Sequence, residues 1–151
     1  MEILAFAVLT GWCAVLSWWD LRQWRLPDPL TGSLALGTLG YAWYAGQFGA
    51  GVIGAALLAV PYLLVHLAAP GALGAGDVKL AVGLGAAAGP GGAQVWVWAA
   101  VAAPVLTAAL GVARLCANRI RRRAGPGASG GVPHGPAMCA ATLIALGAAA
   151  I

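Results

Sequence analysis

Charge is what this sequence has least of. Of its 151 residues 8% are charged and 62% hydrophobic, and mean hydropathy is +0.88. A soluble domain carries about 25% charged residues. So few charges cannot coat a soluble domain of this size, which excludes an ordinary cytosolic enzyme, a disordered chain and a coiled coil. Acids are scarcest of all: Glu2, Asp20, Asp28 and Asp77. A carboxylate beside hydrocarbon is expensive, so each aspartate needs a reason. The cysteines, Cys13, Cys116 and Cys139, form no CxxC pair. They read as small apolar side chains in helices, not as a zinc site or a disulfide framework. His66 and His134 are far apart and lack metal-ligand spacing, so no metal is expected. Ser17, Ser33 and Ser129 have no evident base partner, and no Ser-His-Asp or Cys-His constellation emerges. There is no GxxxxGK[ST] phosphate loop, and no cofactor is expected.

What is present is a series of apolar runs. A membrane span needs roughly 20 apolar residues. Ile3 to Trp19 fits, with Trp18 and Trp19 suited to an interface. No basic residue precedes it and no small-residue exit follows it, so it reads as a retained helix rather than a signal peptide. Leu30 to Gly46, Ala50 to Ala69, the short Val78 to Gly89, Val95 to Cys116, and Ala137 to Ile151 complete the set. Asn118 to Pro133 is basic, then rich in glycine, and reads as an exposed loop.

Charge decides whether the short fourth run crosses. If all six runs cross, Arg22, Arg25, Lys79, Arg114, Arg119, Arg121, Arg122 and Arg123 all fall on one side. If the fourth does not, the cluster at Arg114 to Arg123 lands opposite Arg22 and Arg25. The excess of basic residues in cytoplasmic loops favours the first arrangement. The expected fold is an all-α polytopic membrane helix bundle of about six transmembrane helices, a single domain over residues 1–151 with both termini outside. The net charge of +4 then marks topology and contact with the lipid bilayer, not a nucleic-acid partner.

This topology, fixed without reference to the aspartates, places Asp20, Asp28 and Asp77 on one face. Two carboxylates brought together can share a proton, one acting as general base toward water while the other polarises a carbonyl. Gly74-Ala75-Gly76-Asp77 puts glycines before an acid that opens a helix. Glycine allows a tight turn and close approach of a substrate backbone. Blander readings stand beside this one. Asp77 can be a helix cap, Asp20 an interfacial acid paired with Arg22 or Arg25, and Asp28 a turn residue between Pro27 and Pro29 or a cap. Lys79 reads as a topology marker, His66 as an interfacial side chain and His134 as a loop residue.

The residues also carry a resemblance. Asp20-Leu-Arg-Gln-Trp-Arg-Leu-Pro-Asp28, Gly74-Ala-Gly-Asp-Val-Lys-Leu80 and Val132-Pro-His-Gly-Pro136 together resemble the motifs of the type IV prepilin peptidases, membrane aspartic proteases of the GxGD kind. The resemblance extends over essentially the whole chain. It implies that Asp20 and Asp77 are the catalytic pair, with Gly74, Gly76 and Lys79 at supporting motif positions. It also implies cleavage of the leader of a prepilin or pseudopilin precursor, after a glycine, at the cytoplasmic face of the inner membrane. Two departures stand out: His134 replaces the usual aromatic of the last motif, and Gly71 stands where many members have an acid. Larger members carry an N-terminal segment with paired cysteines associated with methylation. This sequence opens on its first apolar run, so peptidase activity without methyltransferase activity is expected. The alternatives are a non-catalytic component of a pilus or secretion assembly, and a small ion-coupled transporter using the acids as an ion site.

Overall fold

The computed structural model describes residues 3–23, 26–69, 73–121 and 134–149. Among them are six α-helices and no strand: α1 (Ile3–Gln23), α2 (Asp28–Tyr44), α3 (Phe48–Ala68), α4 (Ala75–Ala88), α5 (Ala93–Arg121) and α6 (Gly135–Ala148). A single 3-10 turn, Gly89–Gly91, links α4 to α5. The helices outrun the apolar runs at several ends. α1 continues through Asp20, Leu21, Arg22 and Gln23, because Leu, Arg and Gln are good helix formers whatever their polarity. α2 begins at Asp28, not Leu30, with Pro29 in its first turn, where a missing N–H costs nothing. α4 begins at Ala75, so Asp77 lies inside its first turn. α5 runs on to Arg121, so the loop expected from Asn118 starts as helix. Glu2, Arg25, Gly71, Arg122, Arg123, Ser129, Val132 and Ile151 lie outside the described residues.

α1, α3 and the Ala93–Ala113 stretch of α5 are long and apolar enough to cross a membrane. Their outward faces carry Leu4, Val8, Ile53, Leu64, Val97 and Val105, all exposed. The fold is a helical membrane bundle. α4, at 14 residues, is about 21 Å long, short of the roughly 30 Å hydrocarbon core. It occupies the middle of the bundle instead of its lipid face. It packs on α2, α3, α5 and α6, and Leu80, Ala81, Gly83, Leu84, Gly85, Ala86 and Ala88 are buried.

Small residues are what let α4 sit there. Without a hydrophobic drive between helices in lipid, association depends on close packing, and glycine permits it. A Cβ on Gly85 would stand 2.5 Å from the Gly54 carbonyl oxygen and 3.0 Å from Ala55 Cα, so α3 and α4 touch backbone to backbone. On the opposite side a Cβ on Gly83 would meet Leu34 of α2 at 2.8 Å. Trp96 of α5 closes the contact by donating its indole N–H to the Gly54 carbonyl at 3.0 Å. The α1–α6 contact is built differently. The buried thiols of Cys13 and Cys139 sit against each other there, with Ser17 beside Cys139. One turn further along, α1 reaches Asp20 and α6 reaches its own first residue.

Two glycine substitutions therefore have opposite signs. Gly85→Ala overpacks a backbone contact and is expected to destabilise the bundle by about 1–3 kcal/mol. At Gly37 of α2 an added Cβ meets nothing within 4 Å, and Gly37→Ala is expected to stabilise by up to about 1 kcal/mol through helix propensity. Reversible unfolding in detergent, compared between the two variants, measures both.

Candidate active site

The site is built at three helix ends. Asp20 lies in the last turn of α1 and is buried, with 7% of its surface exposed. Asp77 is the third residue of α4 and half-buried. His134 immediately precedes α6. The two carboxylates are close enough that the Asp77 charge acts on Asp20, and it acts on Tyr62 of α3 as well. Sequence order scatters these groups over four segments; the bundle gathers them at one end.

Each carboxylate is held by a backbone amide at the start of a helix, where N–H groups lack helical partners. The Gly135 N–H donates to Asp20 Oδ2 at 3.2 Å. A Cβ on Gly135 would stand 2.8 Å from that same oxygen, so a side chain there would push the carboxylate away. Asp77 Oδ2 accepts from the Gly74 N–H at 3.2 Å, and the Asp77 N–H donates to the Gly74 carbonyl at 3.1 Å. Gly74 is thus the residue that caps α4. Asp77 is not the cap but the third helical residue reaching back to it, in the manner of a capping box, and the helix dipole favours its negative charge. Each amide bond occupies the Oδ2 atom of its carboxylate.

The first two motifs dock on each other. A Cβ on Gly76 would stand 2.9 Å from Leu26 Cβ, so the space beside Gly76 is filled by the Leu-Pro-Asp turn and is not open for a substrate backbone. Lys79 Nζ pairs with Asp28 Oδ1 at 2.6 Å, an exposed ion pair across the same junction. Asp28 is therefore neither the cap of α2, a place Pro27 holds, nor a bare turn residue, and Lys79 is more than a topology marker. Arg22 does not pair with Asp20; its guanidinium stacks 4.8 Å from the Trp18 ring centroid. His66 Nδ1 lies 2.7 Å from the Leu73 carbonyl oxygen and tethers the turn that leads into Gly74.

His134 is the residue that sequence reasoning underrated. Read as a loop side chain, it is held between two helices: Nε2 lies 2.9 Å from the Tyr62 hydroxyl and Nδ1 2.5 Å from the Thr107 hydroxyl. The Tyr62 and His134 rings are 5.6 Å apart, tilted by 37°. Burial pushes the His134 imidazole below its ordinary value, against the upward pull of the Asp20 charge. The signal available was its place in the Val132-Pro-His-Gly-Pro136 motif; nothing in the sequence pointed to Tyr62 or Thr107.

The model of the type IV leader peptidase family matches residues 7–114. The chain belongs to that family. The matched region includes Asp20 and Asp77 and ends before α6. No curated protein matches, and no solved structure does. As a leader peptidase the chain is a membrane protease whose family acts on prepilin-type substrates. Among the described residues no three His, Cys, Asp or Glu side chains converge as a metal-binding group; what this site offers is its pair of carboxylates.

The His134 shift sets a pH dependence of stability. Its native imidazole binds a proton less readily than an unfolded one, whose pKa is about 6.5. Below that value the unfolded state takes up the proton first, so stability is present above about pH 6.5 and falls as pH drops toward the native value. In thermal unfolding of the detergent-solubilised protein, wild type is expected to lose more stability than His134→Phe as pH falls below about 6.5, the site carboxylates being common to both.

Proposed function

We propose that the chain is an aspartic endopeptidase of the inner membrane that removes the leader peptide of prepilin or pseudopilin precursors after a glycine. The observation that carries this reading is the meeting of Asp20 and Asp77 at one end of the bundle, each with one oxygen already engaged by a backbone amide. The reaction follows from that pairing. One ionised carboxylate takes a proton from water, and the water oxygen attacks the scissile carbonyl. The other, protonated, hydrogen-bonds the carbonyl oxygen as it gains charge. The proton held by the base then passes to the leaving amine, the C–N bond breaks, and the pair is left sharing one proton as before. The two groups titrate as a unit, so the pH–rate profile has two apparent values belonging to the pair.

The basic breaks around Arg22, Lys79 and Arg119 support a cytoplasmic orientation for this end of the bundle. A leader that stays in the cytoplasm while the following segment enters the bilayer presents its junction at that height. The catalytic step needs neither metal nor cofactor, and the reading includes no methyl transfer.

Leader removal from a prepilin substrate in liposomes tests this. Asp20→Asn and Asp77→Asn are each expected to reduce cleavage by about 10²–10⁴-fold with helix content and unfolding temperature kept. Full activity in chelator is expected alongside. Cleavage that survives both substitutions would falsify the assignment.

A further inference from the structure

A two-carboxylate mechanism has no use for an imidazole, yet His134 joins four helices at the site. Asp20 faces it from α1, Tyr62 from α3, and Thr107 from α5, while Asp77 on α4 acts on Tyr62. Its own carbonyl accepts the Met138 N–H at 3.1 Å and so begins α6. The next residue supplies the amide that holds Asp20.

Counting protons assigns a form to the ring. Thr107 has one hydroxyl proton, and it goes to the Ala103 carbonyl at 3.0 Å, the usual back-bond of a helical threonine. With the proton in that back-bond, the Thr107 oxygen accepts from His134 and Nδ1 carries the hydrogen. Nε2 is then bare in the neutral ring and accepts from the Tyr62 hydroxyl. A proton added to Nε2 would meet that hydroxyl as a second donor, and Tyr62 would have to turn its own proton elsewhere.

We propose that His134 is a positioning residue of the site: its neutral Nδ1–H ring, clamped between Thr107 and Tyr62, pins the start of α6 so that the Gly135 amide stays on Asp20. Protonation breaks the clamp at Tyr62 and loosens that amide. This rests on reading Asp20 as half of the catalytic pair. It gives the enzyme an acid limit set by His134 in addition to the titration of the carboxylates.

Nitrogen-15 NMR in detergent, of protein labelled at histidine and separately at glycine, reads the ring and the Gly135 amide directly. There are two histidines, and His134→Phe identifies the signal by removing it. The Nδ1–H tautomer is expected at neutral pH. Tyr62→Phe deletes the donor that favours the neutral ring, and the titration should move up by roughly 0.5–1 pH unit. Thr107→Val deletes an acceptor that binds the charged ring more strongly, and the titration should move down by a similar amount. The Gly135 amide resonance should shift as His134 titrates, and the acid limb of cleavage should follow both variants in the same directions. An Nε2–H tautomer, shifts of one sign, an unmoved Gly135 amide or an acid limb indifferent to both variants would each overturn the proposal. If the wild type cleaves no leader at all, the peptidase reading fails, while the ring and amide signals still decide this one.

Discussion

A carboxylate at the edge of hydrocarbon is tolerated only when something replaces its water. Here that something is the unpaired backbone amide at the start of a helix. Gly135 serves Asp20 and Gly74 serves Asp77. The rest of the architecture follows from the need to deliver those two amides. α6 must begin beside the end of α1, and α4 must begin beside both. A hydrogen bond to a charged group is worth about 1.5–3 kcal/mol, enough to stabilise an acid in place without burying it in a salt bridge. Among the described residues no permanent cation pairs with Asp20 to lock its charge, which suits a group that must exchange protons.

Delivering the helix ends is the task of the small residues. α4 is short and buried because glycines at Gly54 and Gly85 bring α3 and α4 to backbone contact, while Gly83 accepts Leu34. The Leu-Pro-Asp turn then packs Leu26 onto Gly76 and reaches Lys79 with Asp28. That ion pair is exposed and contributes at most about 1 kcal/mol; the apolar contact beneath it sets the register between the first two motifs. The match to the type IV leader peptidase family spans both acids that this geometry brings together.

Much of this was legible in the sequence. The charge-starved composition placed the chain in a membrane, and the order of the apolar runs matches the six helices. Basic-residue asymmetry by itself put Asp20 and Asp77 on one face. Helix ends were less legible, because a scan for apolar residues stops at Trp19 and Cys116 while Leu, Arg and Gln carry the helices on into polar sequence. The partners of the carboxylates were illegible for a different reason. They are main-chain N–H groups, which every residue but proline has, so only the fold says which ones arrive. Tyr62 and Thr107 were hidden in the same way: both sit inside apolar helices, where a hydroxyl reads as incidental until a histidine from another helix meets it.

The central claim is that Asp20 and Asp77 form one titrating unit. Carbon-13 NMR of aspartate carboxyl groups across pH, in wild type and in Asp77→Asn, tests it most directly. Three aspartates are present, and the signal of Asp20 is identified by its loss in Asp20→Asn. A coupled pair predicts a two-step Asp20 titration that becomes a single, displaced step when Asp77 is neutralised. An Asp20 curve that is the same with and without the Asp77 charge would contradict the account.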